Sequence, residues 1–171
     1  MSENQKDYGK YRGTVVNNID PEQRGRIQAI VPDVHGAIPL SYALPCMPVA
    51  SIKAGAHFVP IIGSAVWIEF EQGDPDYPIW TGCFWGQASE LPGDAVMGLP
   101  VSPSIILQTQ AQHKIVISDV PGPTGGIEIK STTGATIRVN DIGITIDNGK
   151  GASIEMIGPT VDINKGAIKT I

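Results

Sequence analysis

From Gly86 to Ile171 there is no Phe, Tyr or Trp; all ten aromatic residues lie at or before Trp85. Aromatic side chains supply the largest single pieces of buried area in an ordinary core. A half-chain without them has either a narrow interior or none of its own. The same half repeats one short unit, in which two β-branched or apolar residues flank a third, mostly polar one. It occurs as Ile115-Val116-Ile117, Ile127-Glu128-Ile129, Ile137-Arg138-Val139, Ile144-Thr145-Ile146, Ile154-Glu155-Met156 and Val161-Asp162-Ile163. Units start 7 to 12 residues apart, and Gly134, Gly143, Gly149, Gly151, Gly158 and Gly166 lie between them as corner residues.

Alternation with period two puts the two flanking side chains of each unit on one face of a very short strand. Two such residues per strand bury too little to hold an isolated sheet. A single-chain β-solenoid needs a repeat of roughly 20 residues or more, longer than these steps. The spacing instead fits one face of a three-sided prism in which three chains take turns. Its axis would be lined by the flanking residues from Ile115 and Ile117 through Val161 and Ile163. An ordinary β-sandwich is the alternative, and the missing aromatics oppose it.

The first half reads differently. Gly13–Val16 and Arg26–Val31 are β-rich and separated by the turn Asp20-Pro21-Glu22-Gln23-Arg24-Gly25. Pro45–Val49 is a proline-bearing edge segment, Ala65–Phe70 alternates, and Tyr77–Trp85 closes the domain. Five short strands in about eighty residues, with no amphipathic helix period, fit an OB-like Greek-key barrel. Between the halves, Leu91-Pro92-Gly93, Leu99-Pro100 and Ser102-Pro103 mark a linker or neck. The expected organisation is a tail at 1–7, an OB-fold domain at 8–86, a linker at 87–104 and a β-helical spike at 105–171. The fold class is all-β: an OB-fold barrel followed by an intertwined triple-stranded β-helix.

These halves together resemble a known family. Tyr11-Arg12-Gly13-Thr14-Val15 through Asp20-Pro21-Glu22-Gln23-Arg24-Gly25-Arg26-Ile27 is similar to the OB domain of phage baseplate assembly protein V and the VgrG-like spikes of contractile injection systems. So are the run from Pro60 to Pro75 and Ile79-Trp80-Thr81-Gly82. His113–Asp119 and Val161–Ile168 resemble the start and end of the spike β-helix. The resemblance implies a homotrimeric central spike of a phage tail, a type VI secretion system or an extracellular injection particle. Its OB domains would sit on a hub, and sheath contraction would drive the prism through the target cell envelope. Only about ten residues precede the barrel, which implies a separate hub protein. The slot where some relatives carry a lysozyme domain holds only the linker, so no enzymatic activity is expected. The resemblance also implies a PAAR-type tip protein docked on the C-terminal end, at Ile168, Lys169, Thr170 and Ile171.

Other chemistry finds little footing. The formal net charge of −5 does not favour a polyanion. Tyr8, Tyr11, Arg12, Arg24 and Arg26 could make a nucleic-acid face on the barrel, but residues 8–86 hold five basic and seven acidic side chains. A glycan-binding β-helical fibre is a further alternative, and it lacks aromatics for sugar stacking. His35, His57 and His113 have no metal-ligand spacing, and no histidine follows His113, so neither a tip metal nor a cofactor is expected. Gly73-Asp74-Pro75-Asp76 reads as a turn, not an acid-base pair. Gly122–Gly126 lacks the ending of a phosphate loop, and nothing resembles a nucleophile elbow. Cys46 and Cys83 read as buried thiols in a reducing compartment, with one disulfide between them left open. The polar first ten residues suggest no signal peptide, and no run of about 18 apolar residues suggests a membrane helix. Assembly in the cytoplasm, then incorporation into a baseplate or particle, is the expected course.

Overall fold

The computed structural model describes residues 6–97 and 102–170, which divide into two compact units between Gln87 and Ala88. In the first unit the strands are β1 (Tyr11–Asn17), β2 (Gln28–Ile30), β3 (Leu44–Pro45), the hairpin β4 (Ala50–Ser51) and β5 (Ala54–Gly55), β6 (Ala65–Phe70) and β7 (Pro78–Cys83). A single helical turn, α1 (Pro32–His35), follows β2. The main sheet runs β2-β1-β6-β7-β3, with β3 parallel to β7 and all other pairs antiparallel. Bridges Ile27↔Ala43 and Ile30↔Pro39 join its two ends, so the sheet curls into a closed five-stranded barrel. Register shifts in β1 after Val15 and between β6 and β7 beside Trp67 supply bends that curvature needs.

Alternation explains the core. In β6 the residues Val66, Ile68 and Phe70 point inward, and with Val15, Ile27, Val31, Leu40 and Trp80 they are 0–7% exposed. Each such side chain contributes about 1.5–3 kcal/mol through burial. The indole of Trp80 is tied as well, its Nε1–H donating to the Gly25 carbonyl at 3.1 Å. The proline-bearing segment expected at an edge begins with β3, which pairs with β7 and helps close the barrel. Cys46 and Cys83 are both exposed and unpaired, which corrects the expectation of buried thiols. Each lies at or just past the end of its strand.

In the second unit the proline- and glycine-rich segment holds a 3-10 turn at Ala88–Glu90 and a short helix, α2 (Gly93–Met97). There follow β8 (Ile105–Gln108), β9 (Lys114–Ser118), β10 (Gly126–Lys130), β11 (Thr136–Val139), β12 (Ile144–Asp147), β13 (Ser153–Ile157), β14 (Thr160–Ile163) and β15 (Ile168–Thr170). They form one antiparallel meander in chain order. The sequence reading has three chains taking turns along each face; in the ladder itself every strand from β9 to β14 finds both neighbours in its own chain. Connections of two to seven residues favour this, because short loops close at small entropic cost. The architecture is all-β, with short helical turns only.

Candidate functional site

The register of the meander stacks the repeated units into two columns. One runs Leu107, Ile115, Ile129, Ile137, Ile146, Ile154, Ile163, Ile168, each directly opposite the next. The other runs Ile105, Ile117, Ile127, Val139, Ile144, Met156, Val161 and ends at Thr170. All twelve residues expected at a trimer axis lie in these columns. The structure adds Ile105 and Leu107 of β8, which follows closely on Ser102-Pro103 and is not among the repeated units read from the sequence, although Ile115-Val116-Ile117 has the same all-apolar form. It also places Ile168, assigned above to tip docking, opposite Ile163 as the last member of the first column. Ile171 lies outside the described residues, as do the side chains of Lys169 and Thr170.

Among the described residues of this unit, none covers this face. Ile115, Ile117, Ile127, Ile129, Ile137, Val139, Ile146 and Ile154 are 38–46% exposed, against 0–7% for the barrel core. A continuous apolar surface of this kind marks an interface.

The opposite face is mostly polar beyond Ile106 and Val116, with its charges paired around Glu128. Its middle column includes Glu128, Arg138, Thr145, Glu155 and Asp162. Glu128 bonds the guanidinium of Arg138 and lies 3.5 Å from Lys114 Nζ, which contacts Asp94 of α2 at 2.6 Å. Partial burial raises the Glu128 pKa, but Arg138 and then Lys114 outweigh it and hold the carboxyl below its ordinary range. Burial likewise opposes the charge on Lys114, and Asp94 more than compensates. Both charges therefore persist at neutral pH and fasten α2 to the polar face.

The residues weighed for other chemistry are engaged or apart. Arg26 binds Asp20, Arg24 lies 2.7 Å from Glu22, and Arg12 lies over the rings of Trp67 and Phe84. Asp74 Oδ1 accepts the Asp76 N–H at 3.1 Å, the geometry of a turn. His113 Nδ1 accepts from the Thr132 N–H. Among the described residues no three His, Cys, Asp or Glu side chains converge in a metal-binding group. No helix in them is long and apolar enough to cross a membrane.

A barrel followed by a sheet with an uncovered apolar face defines a protein built to assemble. Comparison with known families agrees: residues 11–85 match the type VI secretion system/phage-baseplate injector OB domain, and residues 104–169 match the phage baseplate V C-terminal trimerisation domain. The chain belongs to the phage baseplate V and VgrG-type spike proteins, structural components of the baseplate that trimerise. No curated protein matches it.

Proposed function

We propose that three chains bring their double columns together on a common axis, each contributing its own sheet as one face of a three-sided prism. The observation that carries this reading is the 38–46% exposure of eight in-register Ile and Val side chains on one face. Covering it three times over gives a shaft with an Ile/Val interior and paired charges outside; the remaining 38–46% of each side chain is worth roughly 0.6–1.4 kcal/mol, that share of full burial. Such a shaft is suited to load, and its function is mechanical: the central spike of a contractile injection system, driven through a target cell envelope. The chain acts without catalysis or cofactor. The barrels at 8–86 rest on a separate hub protein, the segment 87–104 forms the neck, and the prism occupies 105–171. A PAAR-type tip protein caps the end at Ile168, Lys169, Thr170 and Ile171; the 59% exposure of Ile168 favours a cover there.

Nucleic-acid binding by the barrel is not favoured, because Arg24 and Arg26 already face Glu22 and Asp20. Light scattering on the purified full chain tests the proposal. A mass three times the chain's 18.1 kDa is expected. A folded species at the monomer mass would remove the prism.

A further inference from the structure

The meander has two lateral edges, and they differ in composition. Turns 109–113, 131–135, 148–152 and 164–167 lie on one edge; turns 119–125, 140–143 and 158–159 lie on the other. On the first edge no turn residue is a carboxylate, no aliphatic side chain exceeds alanine, and Lys150 and Lys165 supply positive charge. Its turns stack into a wall: Thr132 bonds back to Ala111 and His113, Gly149 sits against Gly134, and Asn164 bonds Ser153. Two strand carboxylates reach these turns, Asp147 turned onto the Gly149 N–H at 2.5 Å and Asp162 onto the Gly166 N–H at 2.6 Å. The second edge carries Asp119 and Asp141, no Lys or Arg, and the aliphatic side chains Val120 and Ile142, the latter 48% exposed. Among the described residues Lys150, Lys165, Asp119 and Asp141 have no oppositely charged partner within ion-pair distance in their own chain.

A three-fold axis in front of the apolar face, running along the ladder, always brings the first edge of one sheet to the second edge of the next. Like edges never meet. We infer that each corner of the trimer is a seam in which Ile142 of one copy lies on the small-residue wall of its neighbour, with Asp141 facing the neighbour's Lys150. The inference rests on the proposed prism and adds to it a direction and a charge code for closing the ring. The two charges sit in turns one strand apart, about 4.8 Å along the ladder. Charge complementarity of this kind fixes register and partner more than it adds affinity.

Cysteine crosslinking of the full chain tests the seam. In a Cys46→Ser, Cys83→Ser background, Asp141→Cys together with Lys150→Cys is oxidised, with Lys150→Cys alone as the like-edge control. Within one chain the pair lies on opposite edges, separated by strands about 14 Å wide, too far for a disulfide. The expected result is covalent dimers and trimers on a denaturing gel from the pair and none from the control. Equal linking by the control, or no linking in a sample that light scattering shows to be trimeric, overturns the seam and leaves the prism standing. A monomeric mass for the unsubstituted chain overturns both. If the cysteine pair does not fold, Lys150→Glu is expected to lower the trimer's melting temperature, and adding Asp141→Lys to restore it. Failure of the restored charge pair to recover stability counts against the seam.

Discussion

Asp20 Oδ1 accepts hydrogen bonds from both Nε and Nη2 of Arg26, at 3.0 and 2.7 Å. Its other oxygen accepts the backbone N–H groups of Arg24 and Arg26, and the Glu22 N–H returns to Oδ1 at 3.0 Å. Arg26 also lies over the ring of Tyr42, whose hydroxyl donates to the Ile19 carbonyl. The loop between β1 and β2 is thus folded around one carboxylate, whose side chain is 4% exposed.

The Arg26 hydrogen bonds, with the backbone N–H groups, hold the Asp20 carboxyl well below the ordinary carboxylate range against the opposing effect of burial. A depressed folded-state pKa means the unfolded chain takes up the proton first as pH falls. The stabilisation is therefore complete above the unfolded value of about 3.9 and is lost as pH drops toward the folded value. Melting of the barrel, followed by circular dichroism, is expected to be flat with pH down to about 4 and to fall below it. Asp20→Asn is expected to melt lower at neutral pH and to show a shallower acid limb. Identical limbs in the two proteins would show that Asp20 is not the responsible group.

Ile137 lies between Ile129 and Ile146 in the first column. Ile137→Asp places one carboxylate per chain on the proposed axis, where desolvating a charge costs several kcal/mol, on the order of the penalty for any buried ion. In a single chain the same residue is 43% exposed, so the substitution is cheap there. The variant is expected to keep its strand signature by circular dichroism and to run at the monomer mass. A normal trimer would mean that this face does not line the axis.

The parts of this fold legible in the sequence are those set by alternation. The β6 segment Ala65–Phe70 and the six repeated units read correctly because each apolar side chain shares a face with residues two places away. What escaped depended on pairing with other strands or on where strands end. β3 is only two residues long and exists because Leu44 and Pro45 pair with Ile79 and Trp80. β8, Ile105-Ile106-Leu107, follows directly on the proline-bearing neck and takes its place only by pairing with β9. The exposure of Cys46 and Cys83 follows from strand ends that no local pattern marks. In the candidate site, which residues form the columns was legible, whereas which strand neighbours which required the register itself.

Trp80 combines burial with a hydrogen bond to the Gly25 carbonyl, joining β7 to the loop that Asp20 organises. Trp80→Phe keeps an aromatic ring in the core and removes the donor. Leaving a buried carbonyl without its partner costs about 1–3 kcal/mol, and the smaller ring adds a void. A loss in this range is expected in urea unfolding of the full chain, with trimer mass unchanged because the substitution lies in the other unit. No measurable loss would mean that the Gly25 carbonyl finds water instead.

Gly149 has φ +71°, and a Cβ there would lie 2.7 Å from the Gly134 carbonyl carbon and 2.9 Å from the Thr133 oxygen. Gly151, two residues on, has φ +101° with nothing within 4 Å of its would-be Cβ. Alanine at either site meets an unfavourable backbone conformation, worth about 1–3 kcal/mol. Only at 149 does it also push two stacked turns apart, an overpacking term of about 1–3 kcal/mol more. Thermal unfolding should therefore rank the proteins as unsubstituted, then Gly151→Ala, then Gly149→Ala. The difference between the two alanine variants isolates the stacking of turns from the conformational preference of glycine. Equal losses would show that the turns can part without cost, and the first edge of the sheet would then be a row of independent corners and not a wall.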